Sequence, residues 1–101
     1  MNYTENFEGI KIDVQAVDID IDNTLQERVR DAIISLRRHI SEINWVDVYF
    51  KEENQQSTNP RTLSMRLGVP GKDAFASDSG DNWFGLMKNV EEKLRRQLEK
   101  R

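Results

Sequence analysis

Five of the last nine residues, Lys93, Arg95, Arg96, Lys100 and Arg101, are cationic, although the 101-residue chain carries a formal net charge of −3. Lysine and arginine at this density are donors for phosphate oxygens, arginine as a two-pronged fork and lysine as a point charge. Capture of a polyanion is therefore the first chemistry to consider. Laid on a helix at about 100° per residue, Lys93, Arg96 and Lys100 fall on one edge with Asn89, beside an apolar stripe of Trp83, Leu86, Met87, Val90, Leu94 and Leu98. Arg95 and Lys88 fall elsewhere, among Glu91, Glu92 and Glu99. On an earlier stretch, "DNTLQERVRDAIISLRRHI", Arg30 and Arg37 share one edge and Arg38 faces away from the apolar residues. The plain alternative is a solvated surface whose cations answer the helix dipole. Two packed helices presenting these edges toward each other would instead make a strip wide enough to follow a phosphate backbone, governed by local field rather than net charge.

Other chemistries have less to work with. There is no cysteine, so disulfides, thiolate nucleophiles and zinc–thiolate clusters are excluded. The one histidine, His39, lies near a helix end with no serine motif to partner it, which suits a structural or dipole-facing role. Asp18, Asp20 and Asp22 in "DIDID" imitate the opening of a calcium loop, but Asn23 stands where glycine is needed and Val29 where the bidentate glutamate is needed. "GVPG" is a turn, since no strand-glycine-helix context or P-loop lysine follows it. Neither a metal nor a cofactor is expected, and no constellation of nucleophile and base points to an enzyme.

The elements that must position these cations follow from periodicity. "IKIDVQA" alternates Ile10, Ile12, Val14 and Ala16 against polar residues, as a strand with one buried face does. The phase slips by one after Ala16, so Val17, Ile19 and Ile21 are expected in a bend. A first helix follows, with start signals at Asp22 and in the capping-box pattern Thr24 to Glu27, carrying Leu25, Val29, Ala32, Ile33, Leu36 and Ile40 at steps of three and four. "WVDVYFKE", "RTLSMRLGV" and "DAFASDS" are the remaining strands, the first two separated by a polar loop, "ENQQSTNP". Ser79, Gly80 and Asp81 supply a turn and cap before the terminal helix. The expected fold is α+β, β-α-β-β-β-α in two layers, with a four-stranded mixed sheet and both helices on one face. Residues 1–101 make one domain, with 1–8 a flexible N-terminal extension. Trp45, Tyr49 and Phe75 should lie on the uncovered sheet side, where aromatics pack across strands or stack on a partner. No run approaches the roughly 20 apolar residues of a membrane span, and "MNYTENFEG" lacks the features of a secretory signal, so a cytoplasmic location is expected.

With this order in place, the chain resembles the ribosome hibernation promoting factor family, also known as ribosome-associated inhibitors or sigma-factor modulation proteins. The resemblance runs from about Ile10 to Arg101 and is closest over "ASDSGDNWFGLMKNVEEKLRRQLEK", whose finish matches the family's K-L-x-R-Q-L-x-K pattern at Lys93, Leu94, Arg96, Gln97, Leu98 and Lys100. "VDIDIDNTLQERVRDAIISLRR" is similar to the opening of the family's first helix. The resemblance implies a non-enzymatic bacterial protein of stress or stationary phase that binds small-subunit ribosomal RNA in the messenger and transfer RNA channel, blocking translation. It implies RNA contacts for Lys93, Arg96 and Lys100 on the second helix and Arg38 on the first. Two further positions usually basic in the family are Ala32 and Ser35 here, a departure for which Arg30 and Arg37 are the neighbouring candidates. The chain looks like the short form, a monomer off the ribosome, with no small-molecule substrate and no membrane partner. The competing class is a protein-interaction module acting on a transcription factor through Trp45 and Tyr49 of the open sheet face.

Overall fold

The computed structural model describes residues 1–53 and 60–101. It contains β1 (Asn2–Phe7), β2 (Ile10–Val17), α1 (Asn23–Leu36), β3 (Trp45–Glu52), β4 (Arg61–Gly68), β5 (Ala74–Gly80) and α2 (Trp83–Glu99). The sheet runs β1-β2-β3-β4-β5, with β2 and β3 parallel and the other neighbours antiparallel. Because α1 crosses between β2 and β3, the parallel pair is the one the crossover demands. The polar loop expected between β3 and β4 spans residues 53–60, of which 54–59 lie outside the described residues.

Among the described residues the sheet has five strands, not the four that periodicity suggests, and the fifth comes from residues 1–8, which the sequence marks as an extension. Tyr3 and Phe7 are its only large apolar residues, and both pack against the core. A two-residue turn at Glu8 and Gly9, with φ of 51° and 85°, folds this strand onto β2. Such a turn needs left-handed backbone at both positions, which glycine supplies at no steric cost and glutamate tolerates less well. Asn6 Oδ1 accepts from Gly9 N–H at 3.2 Å and steadies the turn. Ala16 N–H donates to Met1 C=O at 2.9 Å. That bond sets the phase of the ladder, so Asn2, Thr4 and Asn6 direct their amides away from the sheet.

The expected slip after Ala16 is a bend at Asp18, whose φ is 59°. It leaves Val17 exposed and turns Ile21 into the core. Asp22 is the N-cap of α1, its Oδ1 accepting from Leu25 N–H at 2.8 Å. The capping-box pattern at Thr24 lies inside the helix instead. The helix stops at Leu36 rather than running to Ile40; Arg38 and His39 close tighter turns onto Ser35 and Leu36. α2 is capped by Asn82, one residue past the expected cap, with Oδ1 accepting from Gly85 N–H at 3.0 Å.

One core joins the inner sheet face to both helices: Ile12, Val14, Val46, Val48, Phe50, Leu63 and Met65 meet Val29, Ile33, Leu36, Met87, Val90 and Leu94. Trp83, at the first turn of α2, meets Phe50 edge-on at 5.1 Å between centroids, with the Arg61 guanidinium 5.3 Å from its ring. Both helices lie on that face and pack on each other. The other sheet face carries Asp13, Gln15, Asp47, Tyr49, Ser64, Arg66 and Phe75.

Candidate nucleic-acid interface

The helix layer distributes its cations over three places, and the two predicted edges do not face each other. On the β1 flank of α1, Arg30 makes a forked pair with Glu5, Nε to Oε1 at 2.7 Å and Nη2 to Oε2 at 3.0 Å. That hydrogen bond pushes the Arg30 pKa above its ordinary value. Arg37, two turns on, donates to Glu8 at 2.6 Å. Both side chains thus tie α1 to the hairpin that the sequence reading lacked. On the opposite flank, the Asn89–Lys93 edge of α2 lies along β5. Asn89 Nδ2 donates to Asp78 at 2.8 Å, and Lys93 Nζ donates to Ser77 C=O at 2.9 Å, with Asp78 at 3.8 Å. Gln97 completes the row: its Oε1 accepts from Phe75 N–H at 3.0 Å and its Nε2 donates to Phe75 C=O at 2.6 Å. Arg101 reaches back to the carbonyls of Pro70 and Lys72.

The third place is the outer surface over the seam between the helices. Arg28 crosses it to Glu91 at 2.8 Å, and His39 Nδ1 stands 3.7 Å from Glu99. Arg95 is clasped by two carboxylates of its own helix, Glu92 at 2.9 Å and Glu99 at 2.8 Å. The Glu92 hydrogen bond, then the Glu99 charge, raise the Arg95 pKa. Arg96 is held only at 3.8 Å from Glu92 and its side chain is 63% exposed. Arg38 and Lys100 are exposed and have no ion-pair partner among the described residues.

Of the six cations singled out from sequence, Arg38, Arg96 and Lys100 therefore project into solvent from the helix layer, Lys93 is half-engaged with β5, and Arg30 and Arg37 are engaged with the β1 hairpin. Pattern reasoning missed Arg28 and passed over Arg95 as part of a mixed face. The i−3 and i+4 spacing of Glu92 and Glu99 about Arg95 was the available signal. Chemically, the layer offers an irregular set of cations interleaved with carboxylates, suited to contacting phosphates at several points rather than gripping one.

The open sheet face differs in kind. Trp45, Tyr49 and Phe75 do lie on it, bordering or lining a trough of about 510 Å³ that also includes Asp13, Asp47 and Arg66. Arg66 sits 4.7 Å over the Phe75 ring. Trp45 lies flat against Gly68, so its indole is committed to the sheet itself. Acid and base alternate here without a cationic bias.

Relatives agree on this architecture. A ribosome hibernation promoting factor from Acinetobacter guillouiae is 24% identical over 97 residues, covering 90% of this chain and 86% of its own length. The N-terminal domain of Thermus thermophilus Protein Y superposes with a TM-score of 0.73 at 12% identity, over 95% of this chain and 98% of that one. A ribosomal subunit interface protein from Coxiella burnetii gives 0.70 at 22% identity, over 88% and 93%. These last two are likenesses of fold. A family model described as sigma 54 modulation protein / S30EA ribosomal protein matches residues 12–101, all but β1, its turn and the first two residues of β2, and the chain belongs to that family.

Proposed function

We propose that this protein is a ribosome-associated, translation-silencing factor that binds small-subunit ribosomal RNA in the messenger and transfer RNA channel under stress or in stationary phase. The family match over residues 12–101 carries the proposal. The names of the relatives, a hibernation promoting factor and a subunit interface protein, support its ribosome-associated part. In this reading the protein works in the cytoplasm as a monomer off the ribosome, by occupancy rather than catalysis, and needs no cofactor. Arg38, Arg96 and Lys100 make the first phosphate contacts. Lys93 joins by exchanging Ser77 C=O for a phosphate oxygen, and Arg30 and Arg37 border the footprint while holding the β1 hairpin.

The test is co-sedimentation with purified small subunits across a salt series. Replacing Lys93, Arg96 and Lys100 together by alanine should weaken binding strongly and leave the fold intact, since none is buried in the core. Each lost phosphate contact should flatten the slope of log K against log salt by about 0.7 to 0.9. A triple variant that sediments with small subunits like the wild type refutes the assignment.

A further inference from the structure

The Arg95 guanidinium already holds two anions. Its Nη2 donates to Glu92, one turn earlier, and its Nη1 to Glu99, one turn later. Glu92 also stands 3.8 Å from Arg96, and Glu99 stands 3.7 Å from His39. Two carboxylates thus influence most of the polar surface of the last two turns of α2, and their side chains are 42% and 45% exposed. These bonds use two of the five Arg95 N–H groups, so an incoming phosphate must take the remaining donors beside two carboxylates or displace one of them. In either case a carboxylate fixed within a turn of the site repels the newcomer as a like charge.

We infer that Glu92 and Glu99 are specificity-determining residues of this surface, withholding Arg95 from isolated or flexible phosphates and yielding it to a rigid, closely spaced set. A single mobile phosphate competes with two carboxylates that the helix has already oriented, and loses. A structured RNA surface engages Arg38, Arg96 and Lys100 at once, and the residence gained through those contacts lets it take Arg95 as well. This inference rests on the phosphate-binding reading of the helix layer and extends it to which RNA is refused.

The experiment compares two probes, polyuridylate and purified small subunits. The variant Glu92→Gln/Glu99→Gln is set against Asp13→Asn/Asp47→Asn, which changes net charge equally from the opposite sheet face. Each pair is also made with Arg95→Ala. An exposed intrahelical pair corresponds to about a twofold factor in an equilibrium constant, so releasing both should tighten polyuridylate binding about three- to fivefold beyond the aspartate control. The salt slope should steepen by about 0.7, one additional single-strand phosphate contact. Arg95→Ala should erase the excess in the glutamine pair while shifting wild-type binding by less than about twofold. Small-subunit binding should gain less, so discrimination falls. A gain no larger than the aspartate control, or one that survives Arg95→Ala, overturns the inference, as does failure of every variant to bind polyuridylate. A wild type that ignores small subunits sinks the ribosomal reading, yet the polyuridylate comparison still decides this one.

Discussion

Substituting Gly68 by alanine should destabilise the protein, and the cost should depend on a tryptophan in the neighbouring strand. A methyl group on Gly68 would lie 2.1 Å from Trp45 Cε2 and 2.2 Å from Nε1. Carbon contacts settle at about 3.5–4.0 Å, so the indole must rise by about 1.5 Å or leave the sheet. A fully buried aromatic hides about 150–250 Å². Trp45 is half-buried, so ejecting it exposes roughly 100 Å², a ceiling of about 2.5 kcal/mol at ~25 cal/mol per Å². Replacing a strand glycine by alanine returns about 0.5–1 kcal/mol. The net expectation is a loss of about 1–2 kcal/mol, a fall in Tm of roughly 5–15 °C for a chain of this size. Thermal and urea unfolding followed by far-ultraviolet circular dichroism measures it. In a Trp45→Ala background the same substitution should be neutral or stabilising, because the space is then empty. Equal costs in the two backgrounds would refute the reasoning and place the effect in the backbone.

Asp22→Ala should lower stability by about 1 kcal/mol through loss of the α1 cap, whereas Thr24→Ala should change it little; chemical denaturation of the two variants decides between the observed cap and the capping-box pattern. Tyr3 should ionise late. Burial against the core, then the Glu5 charge, raise its pKa, with Arg30 opposing. The folded state therefore holds this proton more tightly than the unfolded chain. The stabilisation is present below the ordinary phenol value of about 10 and is lost as pH rises through the folded value. In a Tyr49→Phe background, phenolate absorbance should appear at higher pH in the native protein than in urea; coincident curves would contradict the burial.

Period-two alternation found β2, β3 and β4 and period-3.6 spacing found both helices, because those elements each bury one strongly apolar side; β5, which buries only Ala74 and Ala76, followed from the turn before it. β1 escaped because Asn2, Glu5 and Asn6 are poor strand formers that β2 recruits through the Glu8–Gly9 turn. That turn dipeptide, next to the alternation of Tyr3, Glu5 and Phe7, was the signal to weigh. The sequence marks Asp22, the observed α1 cap, alongside Thr24, and places the α2 cap one residue early at Asp81, because these residues and Asn82 are all competent acceptors and only the backbone geometry selects among them. For the cations, the wheel put Arg30 and Arg37 on one edge and Arg38 outward, as the structure has them, but it joined Lys93 to Arg96 and Lys100, whereas Lys93 reaches β5 and the other two project into solvent. It could not give the partners, since Glu5 and Glu8 sit on an unforeseen hairpin and Ser77 C=O belongs to a strand edge.

Propagation of a sheet from molecule to molecule requires two receptive borders, and this fold keeps only one. The β5 border is occupied by side chains of α2: Gln97 takes up both backbone groups of Phe75, and Lys93 takes the carbonyl of Ser77. The β1 border leaves the amides of Asn2, Thr4 and Asn6 directed outward. A second copy meeting β1 about a two-fold axis would close the arrangement at once, since each partner would then present only its stopped side. Open-ended stacking is thereby denied to a protein whose sheet would otherwise offer two ends, and the termination is written into the same helix that carries the cations.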